Sequence, residues 1–106
     1  MRILFDQGTP VPLRGFLHPH PVDTAAELGW STLTNGNLIA AAEREGFDVI
    51  ITTDQNLKYQ QNLAERSIAV VVLKTTSWPR IRNSALRVLV AVQSLPPSGY
   101  IEIEFH

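Results

Sequence analysis

The chain has 106 residues, nine Lys and Arg against ten Asp and Glu, a formal net charge of -1, and no cysteine. That length accommodates one core, so a single domain over 1–106 is expected. The charge balance excludes a uniformly basic nucleic-acid coat, and the missing thiols exclude disulfide scaffolds, thiolate zinc sites and cysteine nucleophiles.

With 44% hydrophobic residues the chain is too apolar for disorder. The run Ile68 to Leu73 is too short to span a bilayer, and Asp6 interrupts the stretch where a signal peptide needs unbroken apolar residues. A cytoplasmic protein without a membrane segment is the expectation. Charge is nevertheless sorted: Asp and Glu are absent from Arg66 to Tyr100, where Lys74, Arg80, Arg82 and Arg87 collect.

Arg2 to Asp6 is an apolar run closed by a carboxylate and predicts a buried first strand. Gly8-Thr9-Pro10 breaks it, and Pro10 to Leu17 predicts a helix with proline near its start. His18-Pro19-His20-Pro21 is a stiff connector, and Pro21 to Thr24 fits a weak edge strand. Thr34 or Asn35 can cap a helix from Gly36 to Glu45, stopped by Gly46. Phe47 to Thr53 is β-branched and predicts a second buried strand, ended by Asp54 as Asp6 ends the first.

Asn56 to Ala64 predicts a short polar helix anchored by Leu57 and Leu63, and Ser67 to Leu73 a third buried strand. Ile81, Ala85, Val88, Leu89 and Val92 recur at helical spacing, which predicts one helix from the Ser77 cap to about Gln93. Pro96 to Gly99 ends it. Tyr100 to Phe105 alternates as a half-exposed edge strand does, with Glu102 and Glu104 on its wet face. Strands alternating with helices imply an α/β fold: a three-layer α/β/α arrangement around a mostly parallel sheet.

Ligands of open α/β sheets bind beyond the carboxyl ends of the strands, where Asp6 and Asp54 stand. Two carboxylates there can share Mg²⁺ or Mn²⁺, the physical route to phosphodiester hydrolysis. An Asp after a strand also shapes turns and caps helices, so this bland role stands beside the functional one. Glu43 is expected to face solvent away from such a site, and Asp48 to lie at the opposite sheet edge. His18, His20 and His106 lack a metal-binding spacing. Lys58 and Tyr59 follow the Asp54 turn and suit a phosphate and a stacked base, with a solvated polar helix face as the plainer role. Arg80 and Arg82, behind Trp78, suit phosphate, or else Trp78 fills the edge of the core and the arginines stand in solvent. Leu86 and Val90 lie off the main helical stripe, which suggests self-association as a homodimer or, more plainly, a wider core.

Phe5-Asp6-Gln7-Gly8-Thr9-Pro10, the stretch Leu33 to Glu43 with Asn35 and Asn37, Gly46 to Asn56, and Ile68 to Leu73 together resemble the small PIN-like domain family, a group of VapC-like ribonuclease toxins. The resemblance implies a PIN-like α/β/α fold, a carboxylate site for Mg²⁺ or Mn²⁺, RNA as substrate, and a cognate antitoxin as partner. Asp6 and Asp54 match the family pattern as metal ligands. Gln7, Asn35, Asn37 and Asn56 stand where acidic residues are common. Asn37 and Asn56 are then neutral ligands or water-positioning groups. The implied function is a metal-dependent endoribonuclease. The alternative is a PIN-like RNA- or partner-binding module that has lost catalysis.

Overall fold

Each apolar run forms a strand because its side chains are buried on both faces, as parallel sheets require. In the computed structural model, which describes residues 1–57 and 62–106, β1 spans Ile3–Phe5, β2 Val22–Thr24, β3 Val49–Thr52, β4 Ala69–Leu73 and β5 Tyr100–Ile103. They form one sheet in the order β2-β1-β3-β4-β5, with every neighbouring pair parallel. Ile3 registers with both Val22 and Val49, and Val71 with both Ile51 and Ile101.

Alternate residues of the strands feed two cores. Leu4, Ile50, Val70 and Val72 face α1, Asn35–Arg44, through Leu38, Ile39 and Ala42. Ile3, Phe5, Ile51, Val71 and Leu73 face the opposite layer. That layer contains the 3₁₀ helix Val11–Leu17, α2 at Trp78–Asn83 and α3 at Ala85–Ser94. Each fully buried aliphatic side chain contributes about 1.5–3 kcal/mol relative to an exposed one, so the sandwiched strands carry most of the stabilisation. Helices on both faces of a parallel sheet make this the expected α/β class.

Three local expectations change. The helix expected from Ser77 to Gln93 is two helices, interrupted at Ser84 (φ -130, ψ 28). Asn83 and Ser84 compete poorly for helical backbone, and the Ser84 N–H closes on the Ile81 carbonyl at 3.0 Å. The segment after Pro10 coils as a 3₁₀ helix, its seven residues including Pro12 and Gly15. Glu102 is half-buried rather than fully wet, accepting the Tyr100 hydroxyl at 2.7 Å.

The helix expected over Asn56 to Ala64 falls partly outside the described residues. Its anchors Leu57 and Leu63 belong to the α1-side core, and Leu63–Glu65 is a 3₁₀ turn. Gly46 ends the region after α1 at φ +82, where a side chain would be strained. Among the described residues no helix is long and apolar enough to cross a membrane.

Candidate functional site

The chain leaves β1 toward β2 on one side and returns as β3 on the other, so the sheet order reverses beside β1. Crevices for ligands open at the carboxyl ends of strands at such a reversal. Asp6 follows β1 there, and its N–H donates to the Ile51 carbonyl of β3 at 2.9 Å. Asp54 lies two residues beyond β3. Both side chains are half-buried.

One hydroxyl ties the two together. Thr52, the last residue of β3, is 1% exposed, so its hydroxyl needs partners within the protein. It donates to Asp6 Oδ2 at 2.8 Å and accepts the Asp54 N–H at 3.1 Å. Two further bonds are local. Asp6 Oδ1 accepts the Gln7 N–H at 2.7 Å, and Asp54 Oδ1 accepts the Asn56 N–H at 3.0 Å. Asp6 and Asp54 therefore stand at the same sheet edge, linked through Thr52, and their carboxylates also shape their turns.

The turn after β1 is pinned to β3. The Thr9 N–H donates to the Asp6 carbonyl at 3.0 Å, and the buried Thr9 hydroxyl donates to the Ile51 carbonyl at 2.9 Å. A Cβ at Gly8 would overlap the Thr53 hydroxyl as that side chain is placed, so glycine here lets the turn lie against the end of β3 without moving Thr53. Beside it lies a cavity of about 310 Å³ lined by Asp6, Gln7, Thr9, Val11, Thr24 and Ala25.

Its far wall is braced. Thr24 and Glu27 exchange side-chain and backbone hydrogen bonds at 2.9 and 3.1 Å, the reciprocal pattern of a capping box. Arg14 grips Glu27 at 2.6 and 3.2 Å. The Arg14 hydrogen bond, joined by that from the Thr24 N–H, holds the Glu27 carboxyl below the usual glutamate range.

Of the other expected site residues, Asn56 joins through its N–H to Asp54. Asn37 stands exposed in the first turn of α1. Since α1 ends near the start of β3, that first turn lies toward the carboxyl edge. Arg80 and Arg82 are exposed on α2, a helix of six residues. Trp78 is half-buried and meets the Phe16 ring at 5.8 Å between centroids. Lys58 and Tyr59 lie outside the described residues.

The donor set fits a hard cation that keeps most of its waters, because Mg²⁺ is commonly held by one or two carboxylates plus substrate phosphates. Each Asp6 oxygen accepts one hydrogen bond and retains a lone pair for a further partner. Among the described residues no three Asp, Glu or His side chains gather as a ready-made metal cluster.

Glu43 is not plain solvated surface. It accepts Arg66 Nη1 at 3.0 Å and the Ser67 N–H and hydroxyl at 2.7 and 2.9 Å, near the start of β4 and away from Asp6. Partial burial works to raise its pKa, but the Ser67 and Arg66 hydrogen bonds outweigh it and leave the carboxyl below its ordinary value. Asp48 accepts the Arg2 N–H at 2.7 Å, a structural role at the opposite edge.

Thr52, Thr9 and Gly8 were missed as site residues. The signal was present for two of them: a hydroxyl one residue short of a strand-ending Thr-Asp pair, and a glycine two residues past the other Asp. No protein-family model matches this chain, and no curated protein or solved structure matches it.

Proposed function

We propose that this chain is a metal-dependent endoribonuclease of PIN-like type, serving as the toxin half of a toxin–antitoxin pair. The observation that supports it most is the Thr52 hydroxyl linking the Asp6 carboxylate to the Asp54 backbone at the sheet reversal. The resemblance of Phe5–Pro10 and Gly46–Asn56 to that family supplies the substrate, RNA.

Asp6 and Asp54 would hold Mg²⁺ or Mn²⁺. A divalent ion so held supplies positive charge for a phosphoryl oxygen and lowers the pKa of a bound water. The chain's own contribution is positioning. Thr52 and the Gln7 N–H fix both oxygens of Asp6, and the Asn56 N–H fixes one oxygen of Asp54. The Gly8 turn lets Asp6 sit close to β3. Asn37 and Asn56 offer amide oxygens that ligate or position water without adding charge.

A second reading is a binding module that keeps the fold without hydrolysis. It is favoured by the neutral Gln7, Asn37 and Asn56, which leave only two charged ligands.

Cleavage of a mixed single-stranded RNA pool separates the two. With only two charged ligands, the enzyme is expected to need millimolar Mg²⁺ or, better, Mn²⁺. EDTA and Asp54→Asn should each abolish cleavage, and Asn37→Glu or Asn56→Asp should raise it. A chain inert at high Mn²⁺ that still binds the RNA, more weakly as salt rises, is the binding module. A chain that neither cuts nor binds has the fold without either activity.

A further inference from the structure

Two aromatic side chains come to the surface together where the 3₁₀ helix Val11–Leu17 meets α2. Phe16 is 45% exposed, although Leu13 and Leu17 of the same helix are buried. Trp78 is half-buried and packs against the core beneath it. Their ring centroids are 5.8 Å apart and their planes incline at 58°. The pair is anchored from below and keeps ring surface open to solvent.

Positive charge stands beside these rings without a protein partner. Arg82 follows Trp78 by four residues on α2, one helical turn or about 6 Å along the axis, so the two share a helix face. Arg80 lies on the other side of α2. Both arginines are exposed, and among the described residues neither pairs with a carboxylate. Other cations of the chain are engaged: Arg14 by Glu27, Arg66 by Glu43 and Lys74 by Glu104. No Asp or Glu lies between Arg66 and Tyr100 to neutralise Arg80 and Arg82 along the chain.

The same 3₁₀ helix reaches the Asp6 cavity. Its first residue, Val11, lines that cavity. Phe16 lies five residues on, about 10 Å along a 3₁₀ axis. A strand with stacked bases advances about 3.4 Å per nucleotide, so the rings stand about three nucleotides from the cavity.

We propose that Phe16 and Trp78 form a stacking platform for a base of single-stranded RNA, with Arg82 holding a neighbouring phosphate. A ring serves any base, because every base has a π face, and an unpaired arginine supplies the charge that a phosphate takes up. The identity of the strand as RNA rests on the ribonuclease reading. The binding itself needs neither metal nor hydrolysis.

Fluorescence anisotropy of a short, labelled, mixed-sequence single-stranded RNA, titrated with the intact chain in EDTA, tests the platform apart from cleavage. The single strand should bind more tightly than a duplex of the same sequence, whose bases are already stacked on one another. Phe16→Ala and Phe16→Leu should each weaken binding by roughly fivefold to a hundredfold, while Phe16→Tyr, which keeps the ring, should bind as the wild type does. Circular dichroism should stay unchanged, because the position is exposed. Arg82→Gln should reduce the slope of log affinity against log salt by about 0.7, the share of one phosphate contact on a single strand. Wild-type affinity in Phe16→Leu overturns the proposal, and so does a duplex bound as tightly as the single strand. Absence of RNA binding also overturns it, and would leave an acidic protein segment as the occupant. The ribonuclease reading fails separately. A chain that binds through Phe16 and cuts nothing in Mn²⁺ keeps the platform and loses the hydrolysis. A chain that cuts RNA while Phe16→Leu binds unchanged does the reverse.

Discussion

At the amino edge of the sheet, Glu43 is bonded to Arg66 and Ser67, and Asp48 to the Arg2 N–H. Arg2 itself donates to the Glu45 carbonyl and covers the Phe47 ring at 4.2 Å. At the carboxyl edge, Asp6 is bonded to a threonine hydroxyl and a backbone N–H, and among the described residues no arginine or lysine pairs with it. Glu43 at the first edge receives positive charge from the protein, through Arg66. Asp6 at the second receives only neutral donors. Paired carboxylates stabilise the folded state, whereas a half-buried charge held by neutral donors is the arrangement expected where function sets the residue.

The strongest test of this contrast is Thr52→Val. It removes the hydroxyl shared by both aspartates and keeps the β-branched shape. Loss of its two bonds should cost about 2 kcal/mol, read from the urea unfolding midpoint. A loss below about 0.5 kcal/mol, the range of ordinary surface substitutions, would break the idea that one hydroxyl organises the carboxyl edge.

A smaller effect sharpens the other side. Glu43→Gln should cost about 1 kcal/mol at neutral pH, since the side chain is 20% exposed and its ion pair is partly screened. The sign with pH follows from the depressed folded pKa. The stabilisation by the carboxylate is complete above the ordinary value of 4.5 and is lost as pH falls through the lower folded value. The two proteins should therefore converge well below pH 4.5. An equal gap across that range would mean that Glu43 acts by packing rather than by charge.

The least effect is expected at Asp54. In Asp54→Asn the side-chain carbonyl can still accept the Asn56 N–H, so thermal unfolding should move by no more than about 0.5 kcal/mol. Metal-dependent cleavage should nonetheless vanish. A loss of about 2 kcal/mol, the size expected when a helix cap or turn support is removed, would make Asp54 a turn-forming residue and erase the difference between the edges.

Much of this was legible in local pattern. Continuous apolar runs such as Ile68 to Leu73 announced strands buried on both faces, and β4 is buried along its whole length. A carboxylate after each of two such runs placed Asp6 and Asp54 at one edge, because parallel strands all end on the same side. The interruption at Ser84 was hidden because Ile81, Ala85 and Val88 keep helical spacing across it. Thr52 was hidden because a threonine in a β-branched run fits as strand filler, and its partner Asp6 is 46 positions away. Glu43 looked solvated because Arg66 and Ser67 lie more than twenty positions further on.

The sequence by itself determined the elements, the α/β class and the strand ends at which the aspartates stand, because periodicity and turn residues act over a few neighbours. The tertiary structure alone decided the order β2-β1-β3-β4-β5, the hydroxyl between Asp6 and Asp54, the arginine that holds Glu43, and the apolar face left bare on α3. Those depend on which distant segments become neighbours, and that is settled by joint burial of both sheet faces rather than by any local run of residues.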